Sequence, residues 1–249
     1  MPRLLLSAVL GAALALGAQA ALAQKKAAKK APAEAAQPKE IVGNADDAHR
    51  NKIAMCIGCH GLPGYQSSFP QVYKVPKIAG QNAKYIVAAL NGYKTGDRKH
   101  PSMRGIAGSL SDQDIADVAA YYEHLGKDDS VATVPAAAEA PPAALKDKLA
   151  ACEACHGKNF NNTTDPANPR LAGQYADYLL VSLKAYMTDN NPRVGRASAT
   201  MRGMIAPEVD GKKKPLFSGA ELKEVAEYLS GLPGELKTVP QSRFHSPQH

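Results

Sequence analysis

The chain has 249 residues, 45% of them hydrophobic and 21% charged, with 20 glycines, 18 prolines, four cysteines and no tryptophan. That balance belongs to globular chains rather than disordered or fibrous ones, and the length suits two small domains better than one. The formal charge of +7 is spread thinly along the sequence, which argues against a nucleic-acid footprint.

The N-terminus reads as an address. Arg3, the apolar run Leu4 to Leu16 and the small-residue pattern Ala21-Leu22-Ala23 are the three parts of a secretory signal peptide over residues 1–23, with cleavage expected before Gln24 and a second possible cut at Ala18-Gln19-Ala20. The run is short of the ~20 apolar residues that a bilayer span needs, so no mature transmembrane helix is expected. Export would put the chain in the periplasm, an oxidising compartment. Residues 24–42, rich in Ala, Lys and Pro, cannot bury enough apolar surface to order themselves. They read as a flexible arm whose lysines could touch an anionic membrane surface only weakly.

From there the chain repeats itself. All four cysteines fall in two copies of one pentapeptide, Cys56-Ile57-Gly58-Cys59-His60 and Cys152-Glu153-Ala154-Cys155-His156. Further matches keep the order: Pro76-Lys77-Ile78-Ala79-Gly80-Gln81 against Pro169-Arg170-Leu171-Ala172-Gly173-Gln174, then Met103-Arg104-Gly105 against Met201-Arg202-Gly203. In the first copy, residues 43–127, a helix is expected into the Cys motif. A long loop follows, then a helix over 82–93, a methionine loop and a final helix bearing Ile115, Val118, Ala119 and Tyr122 at i, i+3, i+4, i+7. Residues 128–143, with Pro135, Pro141 and Pro142, read as a linker, because proline removes amide donors. The second copy, 144–233, repeats the pattern with a helix over 175–187 and a final helix bearing Leu222, Val225, Ala226 and Leu229. Ser111 with Asp114 and Ser218 with Glu221 have the spacing of a capping box, the second being the better match. No convincing strand is found. An insertion over 208–215 carries Lys212-Lys213-Lys214, read as a solvated loop tip, and 234–249 forms a C-terminal tail.

Cys-x-x-Cys-His is the attachment motif of c-type haem: each thiol can form a thioether to one vinyl group, and the adjacent histidine is carried to the iron. Cys56, Cys59, Cys152 and Cys155 are therefore candidate covalent sites for two haem c groups, with His60 and His156 as proximal ligands. The competing readings fit less. A thioredoxin-like pair needs a βαβ setting, zinc needs a fourth ligand per unit, and plain disulfides would leave the histidines unexplained. On the far side of the iron Met103 and Met201 are the candidates, since they stand at equivalent positions in the repeat. Met204 competes with Met201, and His49, His100 and His124 are alternatives without a counterpart in the other copy. Pro76 and Pro169 could each offer a carbonyl to the proximal ring N–H, which orients it and strengthens it as a ligand. Gln81, Gln174, Tyr85, Tyr93, Tyr178 and Tyr186 could reach haem propionates or the neighbouring haem.

The two Cys-x-x-Cys-His units, the Pro-x-(Ile/Leu)-Ala-Gly-Gln motifs and the stretch from Met103 to Tyr122 resemble the dihaem cytochrome c4 family over about 46–232. The resemblance implies an all-α fold of two tandem class I cytochrome c domains, each a few helices around a covalent haem, with Met103 and Met201 as distal ligands. It also implies electron transport through the periplasm rather than catalysis. The redox partners would be a quinol-oxidising complex or dehydrogenase as donor and a terminal oxidase as acceptor. The alternatives are a cytochrome subunit bound to a periplasmic dehydrogenase and a dihaem enzyme such as a peroxidase, which needs one open iron.

Overall fold

The computed structural model describes residues 41–125 and 140–240, all within one compact unit. The expected signal peptide, most of the arm, the bulk of the linker and the end of the tail lie outside the described residues, as does the side chain of His49.

The first half opens with α1 (Ala45–Asn51) and α2 (Ala54–His60). One helix is expected here; there are two, because Ala48 and Ile53 both enter the same core. Five residues apart on a straight helix, they would point roughly 140° away from each other. The kink is visible in the backbone, where Ile53 N bonds back to Ala48 O at 3.3 Å and Cys56 N to Ile53 O at 2.8 Å. Next come α3 (Ala83–Thr95), α4 (Pro101–Gly108) and α5 (Asp112–His124). The second half has α6 (Lys146–His156), α7 (Ala176–Met187), α8 (Ala199–Ile205) and α9 (Gly219–Gly231). In each half the last helix turns its apolar stripe inward: Ile115, Val118, Ala119 and Tyr122 in one core, Leu222, Val225, Ala226 and Leu229 in the other.

Ser111 and Ser218 start α5 and α9 as complete capping boxes. Asp114 does this as fully as Glu221: its carboxylate accepts from Ser111 N at 2.9 Å while Ser111 Oγ accepts from Asp114 N at 3.1 Å. About half of the described residues are helical and the strands are short, which fits the all-α class I cytochrome c fold that the family resemblance implies.

Three departures from the sequence expectation are local. Both methionine segments are helical rather than loops: α4 begins at Pro101, preset for a first helical position, and α8 is capped by Ser198. At seven or eight residues, neither is long enough to show a period. Six strands of two residues each also occur among the described residues, too short to alternate visibly. β1 (Gln66–Ser67) pairs with β2 (Tyr73–Lys74), β3 (Arg98–Lys99) with β4 (Gly195–Arg196), and β5 (Glu208–Val209) with β6 (Lys212–Lys213), all antiparallel. Finally, the lysine run is not a uniformly solvated tip. Lys213 turns back, donating to Met187 O at 3.1 Å and pairing with Asp189, which also pairs with Arg202.

The two halves are joined in several places. β3 and β4 come from different halves, so Arg98 stands directly opposite Arg196. After α9 the chain crosses back to the first half, where Lys237 bridges to Ala79 and Val239 packs on the first core. Gly80, at φ +78, sits under that crossing: a Cβ there would lie 2.6 Å from Glu235 O, so a side chain is excluded on both backbone and steric grounds.

Candidate functional site

Each Cys-x-x-Cys-His lies at the C-terminal end of a helix, α2 or α6, which presents the cysteines on consecutive turns and delivers the histidine at the last position. No disulfide joins the four cysteines; Cys59 and Cys155 are exposed, Cys56 and Cys152 partly buried. Burial pushes the Cys56 thiol up to about 11 and the Cys152 thiol up as well.

The two histidines are held identically. His60 Nδ1 donates to Pro76 O and His156 Nδ1 donates to Pro169 O, both at 2.9 Å. A carbonyl can only accept, so the proton is on Nδ1 and the Nε2 lone pair is left for a metal. Burial pushes both imidazoles down, against the opposing carbonyl bond, which keeps them neutral as a ligand must be. Each proline loop is tied to the final helix of its own half by the next glycine, Gly80 N to Tyr122 O at 2.8 Å and Gly173 N to Leu229 O at 3.0 Å.

Met103 and Met201 occupy the same place in α4 and α8. Each is the third helical residue, its amide donating to an N-cap side chain, His100 Nδ1 at 3.3 Å or Ser198 Oγ at 3.4 Å. Each also packs against the core of its half. Met204 lines the same cavity but does not hold the position matching Met103. Two alternative histidines are otherwise engaged: His100 caps α4 and donates from Nε2 to Tyr73 Oη at 3.0 Å, and His124 bonds Ala120 O at 2.9 Å.

One cavity of about 830 Å³ runs between these groups, lined by Cys56, His60 and Met103 from one half and Cys152, His156 and Met201 from the other. Packed interiors leave few voids larger than a water molecule, so a space of this size between two sets of soft donors is a cofactor site. Gln81, Gln174, Tyr85, Tyr93, Tyr178 and Tyr186 line it as the sequence suggested, but its two arginines were missed. Arg98 and Arg196 are half-buried there, and among the described residues neither forms an ion pair with a carboxylate. Arg98 donates to Tyr85 Oη at 2.8 Å and Tyr178 Oη at 2.7 Å, and Arg196 to Tyr178 Oη at 3.2 Å and Ser182 Oγ at 2.7 Å. Arg98 Nε has no acceptor at all. Burial pushes the Tyr178 hydroxyl up, but the two guanidiniums outweigh it and hold it down at about 7. Two half-buried cations and a buried orphaned donor call for anionic groups, and haem brings two carboxylates. The signal was in the repeat, since each arginine stands five residues before its methionine.

The Cytochrome c family model matches residues 51–126 and 144–233. A cytochrome c4 from Azotobacter vinelandii is 31% identical over 199 residues, which is 74% of this chain and 88% of that protein. The chain belongs to the cytochrome c4 family. The crystal structure of reduced recombinant cytochrome c4 from Pseudomonas stutzeri matches with a TM-score of 0.52 at 27% identity, covering 77% of this chain and 100% of that one. A thiosulfate dehydrogenase electron acceptor from Thiomonas intermedia is 32% identical over 189 residues, 73% of this chain and 80% of that protein. As a cytochrome c4, this chain carries covalent haem c at two sites, and its donor sets and cavity suit that cofactor in both halves. It is a dihaem electron-transfer cytochrome.

Proposed function

We propose that the protein is a periplasmic electron carrier and not an enzyme. Cys56, Cys59, Cys152 and Cys155 would form the thioethers, His60 and Met103 would hold one iron, and His156 and Met201 the other. When bound, each haem supplies a one-electron iron couple. The chain's residues then have separable tasks. Pro76 and Pro169 orient the imidazoles, Arg98 and Arg196 would take the haem carboxylates, and Met103 and Met201 would complete the iron ligation so that no exogenous molecule binds. A ligand set closed on both sides lets iron change charge with little rearrangement, and methionine opposite histidine raises the potential.

The observation that carries this reading is the equivalence of the two halves: the same donors, in the same helical positions, face one cavity. An enzyme needs one iron open, and neither half lacks its methionine. Donors would be a quinol-oxidising complex or a dehydrogenase, and the acceptor a terminal oxidase. The Thiomonas relative favours a second reading of the donor, in which electrons come from a dehydrogenase that oxidises an inorganic sulfur compound.

The test is a haem count with oxidised and reduced spectra, the reduced one repeated under carbon monoxide. Two c-type haems per chain, a methionine-to-iron charge-transfer band and no carbon monoxide shift are expected. A shift on half the haem would overturn the carrier reading in favour of an open, reactive iron.

A further inference from the structure

We propose that Gln81 and Gln174 are positioning residues acting across the molecule, each setting the hydrogen bond on the imidazole of the opposite half. The proposal rests on His60 and His156 being the iron ligands.

Both amides are buried, Gln81 at 4% and Gln174 at 3% exposure. Gln81 Oε1 accepts from Arg170 N at 2.8 Å, and its Nε2 donates to Arg170 O at 3.1 Å. Gln174 does the same to Lys77, accepting from its N at 3.0 Å and donating to its O at 2.8 Å. Within its own half each Oε1 accepts the amide of the next residue, Asn82 or Tyr175, at 3.0 Å. Lys77 and Arg170 are equivalent in the repeat, so the two grips are reciprocal.

The gripped residues follow the two prolines whose carbonyls hold the histidines. The carbonyl of Pro169 and the N–H of Arg170 are the two ends of one planar, conjugated peptide group. A continuous chain therefore runs from Gln81 Oε1 to the Arg170 N–H, through the peptide to Pro169 O, and on to His156 Nδ1. Its counterpart runs from Gln174 Oε1 through the Lys77–Pro76 peptide to His60 Nδ1. Hydrogen bonds in series polarise one another, by about 10–30% per bond. A peptide whose N–H is engaged offers a better carbonyl acceptor, and a better acceptor makes the imidazole a more basic ligand. A more basic ligand favours the oxidised iron and lowers the potential. Removing Gln81 should thus raise the potential of the haem on His156, and removing Gln174 that of the haem on His60. A glutamine serving only to glue the halves together would show no such crossing.

The experiment uses the haem-loaded, ¹⁵N-labelled, reduced protein. Gln81→Met and Gln174→Met keep the length of the side chain and remove its acceptor. In the unmodified protein both histidine rings must show the upfield ring-current shift of an imidazole bound over haem. Its absence would sink the ligand assignment and the proposal with it, before any variant is made. With that shift in place, Gln81→Met is expected to move the His156 Nδ1–H resonance upfield, speed its exchange and raise the potential of that haem, with His60 held. Gln174→Met is expected to do the reverse. A change on the same side as the substitution, an equal change on both sides, or none on either would overturn the crossing while leaving the ligand assignment standing. Each variant tests the crossing alone, so one that fails to load haem leaves the other to decide.

Discussion

Asp117 shows how a residue can be misread when only one helix face is considered. On α5 it lies off the apolar stripe, where a solvated carboxylate belongs, yet it is 1% exposed because α1 packs over that side. Its Oδ1 accepts from Asn44 N and from Gln113 Nε2, and Oδ2 from Lys52 Nζ, each at 2.8 Å. Lys52 also reaches Asp114 at 2.5 Å. Burial pushes the Asp117 carboxyl up, but the bonds from Lys52, Asn44 and Gln113 outweigh it and leave it below the usual range. The Lys52 and Ser111 bonds hold Asp114 at about 2. A carboxyl whose folded value lies below its unfolded one stabilises the fold above about pH 4, and that stabilisation fades as pH falls toward 2. Asp117→Ala should cost about 2–3 kcal/mol near neutral pH, because three donors lose a buried acceptor. The deficit, read from urea midpoints, should shrink between about pH 5 and pH 2. A deficit independent of pH would mean that packing, not the charge, is what Asp117 contributes.

At the scale of elements, periodicity identified what was long and one-sided. α5 and α9 announced themselves through four apolar residues on one stripe and a serine cap, and the cysteine motifs marked α2 and α6 through chemistry rather than pattern. α4 and α8 were invisible because a seven- or eight-residue helix completes too few turns, and β3 and β4 because a two-residue ladder between distant segments leaves no local trace. The segment after α9 was likewise read as a tail. It is a strap: Glu235 N donates to Asn161 Oδ1 at 2.9 Å, Lys237 N to Ala79 O at 3.0 Å, and Thr238 shares a hydrogen bond with Tyr175 at 3.1 Å, before Val239 enters the first core. Ending the chain at Pro233 removes these bonds, the Glu235 ion pair with Arg170, the buried Leu236 and the half-buried valine. About 4–8 kcal/mol is expected to be lost, from three bonds of about 0.5–1.5 kcal/mol each, a buried leucine of about 1.5–3 kcal/mol and one partly buried side chain. Because the strap links the halves, truncation should split a single thermal transition, followed through haem absorption, into two, the half bearing His60 melting first. An unchanged transition would show that β3, β4 and the glutamine grips suffice to hold the halves together.

For the whole molecule, the cofactor is part of the core. The buried residues of the two hydrophobic clusters are mainly aliphatic, with two tyrosines in one and two phenylalanines in the other, and tryptophan is absent from the chain. Between them lies the cavity of about 830 Å³. An enclosed void of that volume would cost about 20 kcal/mol at ~24 cal/mol per Å³, and this one, part-open to solvent, escapes some of that cost only by leaving its apolar lining in water. A domain's whole stability is only about 5–15 kcal/mol. Even a third of that penalty would absorb most of the margin, and the half-buried guanidiniums of Arg98 and Arg196 would add uncompensated charge. A chain synthesised where haem cannot be attached is therefore expected to lose the helical packing of both halves together, with a weak helical signal in circular dichroism and no cooperative melt. The loaded protein should melt sharply, since binding free energy becomes folding free energy when no site exists in the unfolded chain. If the haem-free chain instead melted cooperatively near the loaded one, the helices would have to collapse into the cavity and bury Arg98 and Arg196 by some other pairing. The fold would then precede its cofactor rather than depend on it.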